Sequence, residues 1–258
     1  MDTVVGEILA RPDLLRNLVW AELTARYKTT TLGILWFVLN PLLMMAILIA
    51  VFGRVIQLNI QNYPVFVLSA LLPWTFCQMA ITTSTNSLTR ASGLVKRVRI
   101  PREFVPLSAL MAGLVHFLIS LLLLFAVMAL SQVRFTPYML FLPAAIFLQL
   151  IFLTGACLLT SSLNVFYRDI EHVLSPAMQA LFYLTPSIYP LSFVPHQWLH
   201  WYLLNPMAGI IELYRDTLVL GHLPSLQVVE MATLSSVATL VAGLVIFKRL
   251  EPHFDDYI

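Results

Sequence analysis

The chain has 258 residues, 59% apolar and 11% charged, against about 45–50% and about 25% in a typical soluble domain. No water-soluble fold of this size can hide that share of apolar side chains, so a mean hydropathy of +0.85 places the chain in a bilayer and excludes disorder, a secreted disulfide framework and a cytosolic enzyme together. The net charge of +2 provides no broad basic face for nucleic acid, and Cys77 and Cys157, both in apolar runs, read as space-filling residues.

The first predicted element covers residues 13 to 27 and reads as an interfacial helix. Leu14, Leu15, Leu18 and Val19 share one side, and Glu22 with Arg26 is spaced for an i,i+4 pair, although Glu22 projects from the apolar arc. Such a belt docks a partner or admits a lipid-linked substrate on one reading, and only anchors the chain on the other. Arg11, Pro12, Asp13 and Arg16 interrupt any signal-peptide core.

A bilayer core of about 30 Å takes about 20 helical residues. The intervals 29 to 53, 55 to 89, 104 to 133, 135 to 167, 172 to 211 and 231 to 247 contain no Asp, Glu, Lys or Arg and mark the candidate spans. In 172 to 211, Pro176, Pro186, Pro190, Pro195 and Pro206 break the run. One spanning helix over about 173 to 190 is expected there, then short re-entrant pieces. The expected fold is an all-α integral membrane protein with about six transmembrane helices. Residues 1–30 form an amino-terminal interfacial segment, 31–250 the transmembrane domain and 251–258 a cytoplasmic tail.

Six crossings put both ends on one side. Twelve of the fifteen Lys and Arg then fall on that side, with Arg54, Arg134 and Arg215 opposite, so the basic side is cytoplasmic by the positive-inside rule. The spans carry no ionisable group near their centres, which a carrier driven by ion coupling usually needs. No phosphate-loop motif occurs, so energy, if it is used, must come from another chain. His196 and His200 have metal-ligand spacing but lie beside Trp198 and Trp201, where an interfacial aromatic cluster is the better reading. Polar residues form two helical stripes: Thr75, Gln78, Thr82 and Thr85 near Trp74 in the second span, and Thr154, Cys157, Ser161 and Asn164 in the fourth. They fit either a conduit exchanging hydrogen bonds with a sugar chain or adhesion between helices, worth about 0.6–2 kcal/mol per bond.

Taken in order, several short motifs resemble the type-2 ABC permeases that export polysaccharides such as O-antigen, capsule or teichoic acid. They are Arg26-Tyr27-Lys28, Leu32 to Trp36 with Asn40-Pro41, Leu71-Leu72-Pro73-Trp74, Leu94 to Glu103, Leu163 to Ile170, Leu184 to Pro190, Leu204-Asn205-Pro206-Met207 and Tyr214-Arg215. Arg99-Ile100-Pro101 departs from the family's more usual neutral and aromatic pair before the proline. The resemblance implies a homodimeric channel, two copies of a separate nucleotide-binding subunit carrying ATP and Mg, no cofactor in this chain, and a lipid-linked polysaccharide as cargo among membrane lipids. It also implies roles. Arg26, Tyr27, Lys28, Leu32, Gly33 and Trp36 would form the substrate entry. Leu94, Val95, Lys96, Arg97, Val98, Arg99 and Glu103 would couple to the ATPase, with the Leu94, Val95 and Val98 face suited to a groove on it. Pro190, Pro195, Asn205 and Pro206 would belong to an outer gate.

Two other classes stay open. One is a type-2 ABC permease for a drug or lipid, with the same architecture. The other is a membrane glycan transferase, for which Asp169, Glu171 and His172 form the one cluster able to serve.

Overall fold

The computed structural model describes residues 11–27, 35–58, 60–93 and 100–257. Among them the chain is helical without any strand. That is the class the composition demands, since hydrocarbon offers no water to satisfy backbone polar groups and a helix satisfies them internally. The elements are α1 (Pro12–Tyr27), α2 (Trp36–Leu48) running into a π-helical turn (Ile49–Val55), α3 (Tyr63–Arg90), α4 (Phe104–Leu130), α5 (Leu142–Phe166) and α6 (Ile170–Leu184). Then follow α7 (His196–Leu203), α8 (Pro206–Arg215) with its own π-helical extension (Asp216–Leu220), α9 (Leu226–Leu250) and α10 (Phe254–Tyr257).

Among the described residues five stretches are long and apolar enough to cross a membrane: Val38–Val55, Tyr63–Arg90, Phe104–Leu130, Pro137–Phe166 and Leu226–His253. The remaining expected span differs. Observed as α6, it has 15 residues, about 22 Å at 1.5 Å per residue. It stops at Thr185, whose backbone is extended, as Pro186 disfavours the helical conformation for the residue before it. Packing nevertheless sends the chain back along the bundle here. Gly155 of α5 lies against Thr239 and Leu240 of α9, and farther along, Phe166 meets Phe254 just past the end of α9, so α5 and α9 run parallel. The chain between them therefore returns along the bundle, and α6 makes that return. Phe182 packs on Trp74 with ring centroids 5.6 Å apart, and beyond the helix end the Ile188 carbonyl accepts from Tyr63 Oη at the first residue of α3.

The core is built around α3, which touches α2, α4, α5, α6 and α8. A buried hydrogen-bond chain crosses it. Tyr214 Oη donates to Gln149 Oε1 at 2.8 Å, and Gln149 Nε2 donates to the Pro73 carbonyl at 2.8 Å. Cys77 and Cys157 are buried free thiols. A separate apolar cluster of Leu88, Val105, Leu158, Val165, Phe247 and Phe254 gathers the ends of α3, α5 and α9 with the start of α4. Arg90, Arg102, Lys248 and Arg249 are therefore grouped at one end of the bundle. The half-buried side of α1 carries Leu14, Leu15, Leu18, Val19, Glu22 and Leu23, while Trp20 is 67% exposed; α1 packs against α4. Leu122, Leu234 and Val241 point outward, as they would toward a lipid solvent.

Candidate functional site

The two polar stripes part ways. Around the middle of α3, Thr75 and Gln78 line two grooves that share the α2 residues Asn40 and Pro41, and Thr82 lines the first of them. One groove, about 370 Å³, is completed by Trp36, His116, Phe117 and Ser120. The other, about 320 Å³, is completed by Trp74, Ser175, Gln179, Phe182 and Tyr183. Thr75 donates to the Leu72 carbonyl and Thr82 to the Gln78 carbonyl within α3. Each hydroxyl oxygen thus faces its groove as an acceptor, and Gln78 brings an amide that both donates and accepts. Trp74, only 3% exposed, is a wall of the second groove more than a free surface.

Lower on α3 the same stripe turns inward. Thr85 Oγ1 donates to Thr160 Oγ1 at 2.9 Å, and Asn164 Nδ2 donates to the Thr85 carbonyl at 3.1 Å and to Asn86 Oδ1 at 3.2 Å. Ser161 is buried and donates to Leu158 within its own helix, and Thr154 is half-buried. Thr85 and Asn164 therefore fasten α3 to α5. A period of about 3.6 cannot separate these two fates, because both faces are apolar with a polar seam.

At the basic end, Leu94, Val95, Lys96, Arg97, Val98 and Arg99 lie outside the described residues. Glu103 is placed, and it is 1% exposed. Its Oε1 accepts from Lys248 Nζ at 2.9 Å and its side chain makes no cap on α4. A charge-assisted bond to an ammonium outcompetes a helix-end dipole, so Glu103 joins α4 to α9 inside the protein and offers no surface to a partner. Of the expected entry residues, Lys28, Leu32 and Gly33 lie outside the described residues. Arg26 and Tyr27 end α1, and Trp36 opens α2, 41% exposed, at the mouth of the first groove.

The outer-gate residues turn the chain. Pro190 and Pro195 precede the 3-10 turn Leu191–Phe193 and α7. Asn205 caps α8 by accepting from the Met207 N–H at 3.1 Å and donates to Thr185 Oγ1 at 2.8 Å, with Pro206 at the first helical position. In α7, burial and then the Tyr189 hydroxyl beside it push the Tyr202 phenol well above its ordinary pKa. His196 and His200 are exposed, His200 beside Gln227 at 3.3 Å. Asp169, Glu171 and His172 are exposed around the first turn of α6. Among the described residues no group of three His, Cys, Asp or Glu is arranged to hold a metal.

One feature of this end escaped sequence reasoning. Arg215, 1% exposed, donates to the carbonyls of Pro186, Ser187 (2.7 Å) and Tyr189 (3.0 Å) and lies 3.8 Å over the Phe66 ring, with Glu212 at 3.8 Å. It pins the turn after α6 to α8 and α3. The sequence offered Arg215 only as part of the Tyr214-Arg215 motif and as one of three basic residues on the outer side; nothing in it signalled the burial.

The ABC-2 type transporter family profile matches residues 13–219. Among similar proteins are the O-antigen export system permease protein RfbA of Klebsiella pneumoniae, 32% identical over 95% of both chains, and that of Myxococcus xanthus, 31% identical over 100% of both. The polysialic acid transport protein KpsM of Escherichia coli is 23% identical over 89% of this chain and 90% of its own. With its multi-pass helical architecture and a profile match covering most of its length, the chain belongs to the ABC-2 type transporter family.

Proposed function

We propose that this chain is the membrane subunit of an ATP-driven exporter of a lipid-linked polysaccharide. The observation that carries the reading is end-to-end similarity to O-antigen export permeases, and the uncharged polar lining of the grooves supports it. Neutral hydroxyls and amides replace the water around successive sugars one bond at a time. A path that must release every unit needs such weak, repeated contacts, and charges would hold the cargo. Aromatic walls at Trp36, Trp74 and Tyr183 supply flat apolar surface between them.

In this reading two copies of the chain enclose the path across the cytoplasmic membrane, with both termini in the cytoplasm. Two copies of a nucleotide-binding subunit bind ATP and Mg beneath the basic end, and the segment 94–99 receives their motion. Thr75, Gln78 and Thr82, with Asn40, act on the cargo, Trp36 and the residues before it admit it, and the Pro190–Pro206 region closes the outer side. The chain itself hydrolyses nothing. The test replaces Gln78 and Thr82 by Leu. Surface glycan is expected to fall while protein level and dimer assembly stay unchanged; undiminished export would refute the conduit, and loss of assembly would make the upper stripe adhesive as well. A drug or lipid cargo would show instead as normal surface glycan in a strain lacking the chain.

A further inference from the structure

The described residues that flank the segment 94–99 differ in their surroundings. On its entry side, a Cβ added to Gly93 would meet nothing within 4 Å. On its exit side Ile100 is buried, and the Phe104 and Val105 N–H groups donate to the carbonyls of Pro101 and Arg102, so α4 begins in a fixed turn. That turn is bonded to the opposite terminus of the chain. Arg102 donates to the Glu251 carbonyl and lies 5.9 Å over the Phe254 ring. Glu103 accepts from Lys248, which also reaches Glu251 at 3.0 Å. Phe254, fully buried, packs against Phe247 and Phe166, and Phe166 meets Tyr257 with centroids 4.7 Å apart.

We infer that Arg102 and Glu103, with Lys248 and Phe254, form a brace through which displacement of the segment 94–99 moves α9 as one body with the start of α4. The inference rests on the proposed coupling role of that segment. Three contacts of different kinds, an ion pair, a guanidinium-to-carbonyl bond and a guanidinium stacked over an aromatic ring, join the same two places. A joint made that way resists shear and rotation together, which an ion pair alone does not. From α9 the motion reaches α5, because Gly155 and Gly243 bring those two backbones into direct contact. The carboxyl-terminal residues 251–257 are thus a working part of the bundle, and the four named side chains are positioning residues that touch no cargo.

The test uses the full complex with its nucleotide-binding subunit in liposomes, with Cys77 and Cys157 replaced by Ala. Spin labels at residue 97 or residue 249 report the distance between the two protomers before and after vanadate trapping of ATP. In the parent both distances should change. Lys248→Met should keep the change at 97 and reduce the shifted population at 249 by about 5-fold or more, the low end of coupling between sites. Phe254→Leu, which keeps the ion pair and serves if Lys248→Met does not fold, should act in the same direction. The pair Glu103→Lys with Lys248→Glu should restore part of the change. An unaltered change at 249 in both single variants would overturn the brace. No change at 97 in the parent would instead refute the coupling role of the segment, and the brace with it.

Discussion

The contact between α5 and α9 can be tested by adding a single carbon. A Cβ on Gly243 would stand 2.1 Å from the Gly155 carbonyl oxygen and 2.7 Å from its carbon, and a Cβ on Gly155 would stand 2.5 Å from Leu240 N. Ordinary contact begins at 3.4 Å, so Gly243→Ala requires the two backbones to part by more than an ångström along that direction. Two effects oppose. Gly→Ala in a helix interior gains about 0.5–1 kcal/mol from backbone entropy, whereas overpacking costs about 1–3 kcal/mol and occasionally more. Packing wins here because the obstacle is backbone, which has no other rotamer. Gly113→Ala, whose Cβ meets the movable Phe76 ring at 3.2 Å, should be near neutral, and Gly93→Ala, with open space around it, should be neutral or slightly stabilising. The assay is an unfolding titration with SDS in mixed micelles, read by tryptophan fluorescence. The expected order of stability is Gly93→Ala, then Gly113→Ala, then Gly243→Ala, the last below the parent. A Gly243→Ala protein as stable as Gly113→Ala would refute the claimed approach, since both glycines sit inside long helices and share the entropy term.

Asn164→Leu removes two donated bonds between α5 and α3 and should lower stability in the same titration by about 1–2 kcal/mol, whereas Gln78→Leu should leave it unchanged. Arg215→Met leaves the carbonyls of Pro186, Ser187 and Tyr189 without their donor, at about 1–3 kcal/mol each when buried; Arg215→Lys should rescue only in part, because an ammonium lacks the planar fork, and chymotrypsin cleavage at Phe193, just past this turn, in micelles reports both. Leu94→Ser with Val98→Ser keeps every charge of the basic segment, so insertion should stay normal while binding of the ATPase subunit falls, as a pull-down would read; full binding and export would reduce the segment to a topology anchor. Single cysteines at 97 and 200 in intact cells, treated with an impermeant thiol reagent, should react at 200 and not at 97, and the reverse pattern would overturn the orientation.

Sequence reasoning went furthest where one residue type has one physical meaning. Uncharged runs mark the long helices because a charge at membrane depth is costly. The turn of the chain at Asn205-Pro206 was legible in the prolines, but the span expected over about 173 to 190 ends at Leu184, because the sequence alone did not tell Pro186, which ends the helix, from Pro176, which sits inside it. A helix-compatible proline and a helix-ending one differ in what neighbours accept the freed backbone groups, and those neighbours come from elsewhere in the chain.

By itself, then, the sequence determined the solvent, the helical class, the basic end of the bundle and the polar stripes, because each follows from local composition or from spacing along one helix. Tertiary structure decided which part of a stripe is open and which is sealed: Gln78 faces grooves completed by Asn40, Ser120 and Gln179, and Asn164 is spent on Thr85 and Asn86. It also decided that Glu103 pairs with Lys248 rather than with its own helix end, and that Arg215 is buried beneath three carbonyls. Each of these outcomes depends on partners far away in the chain, and no periodicity within one segment records which helix will be brought against it.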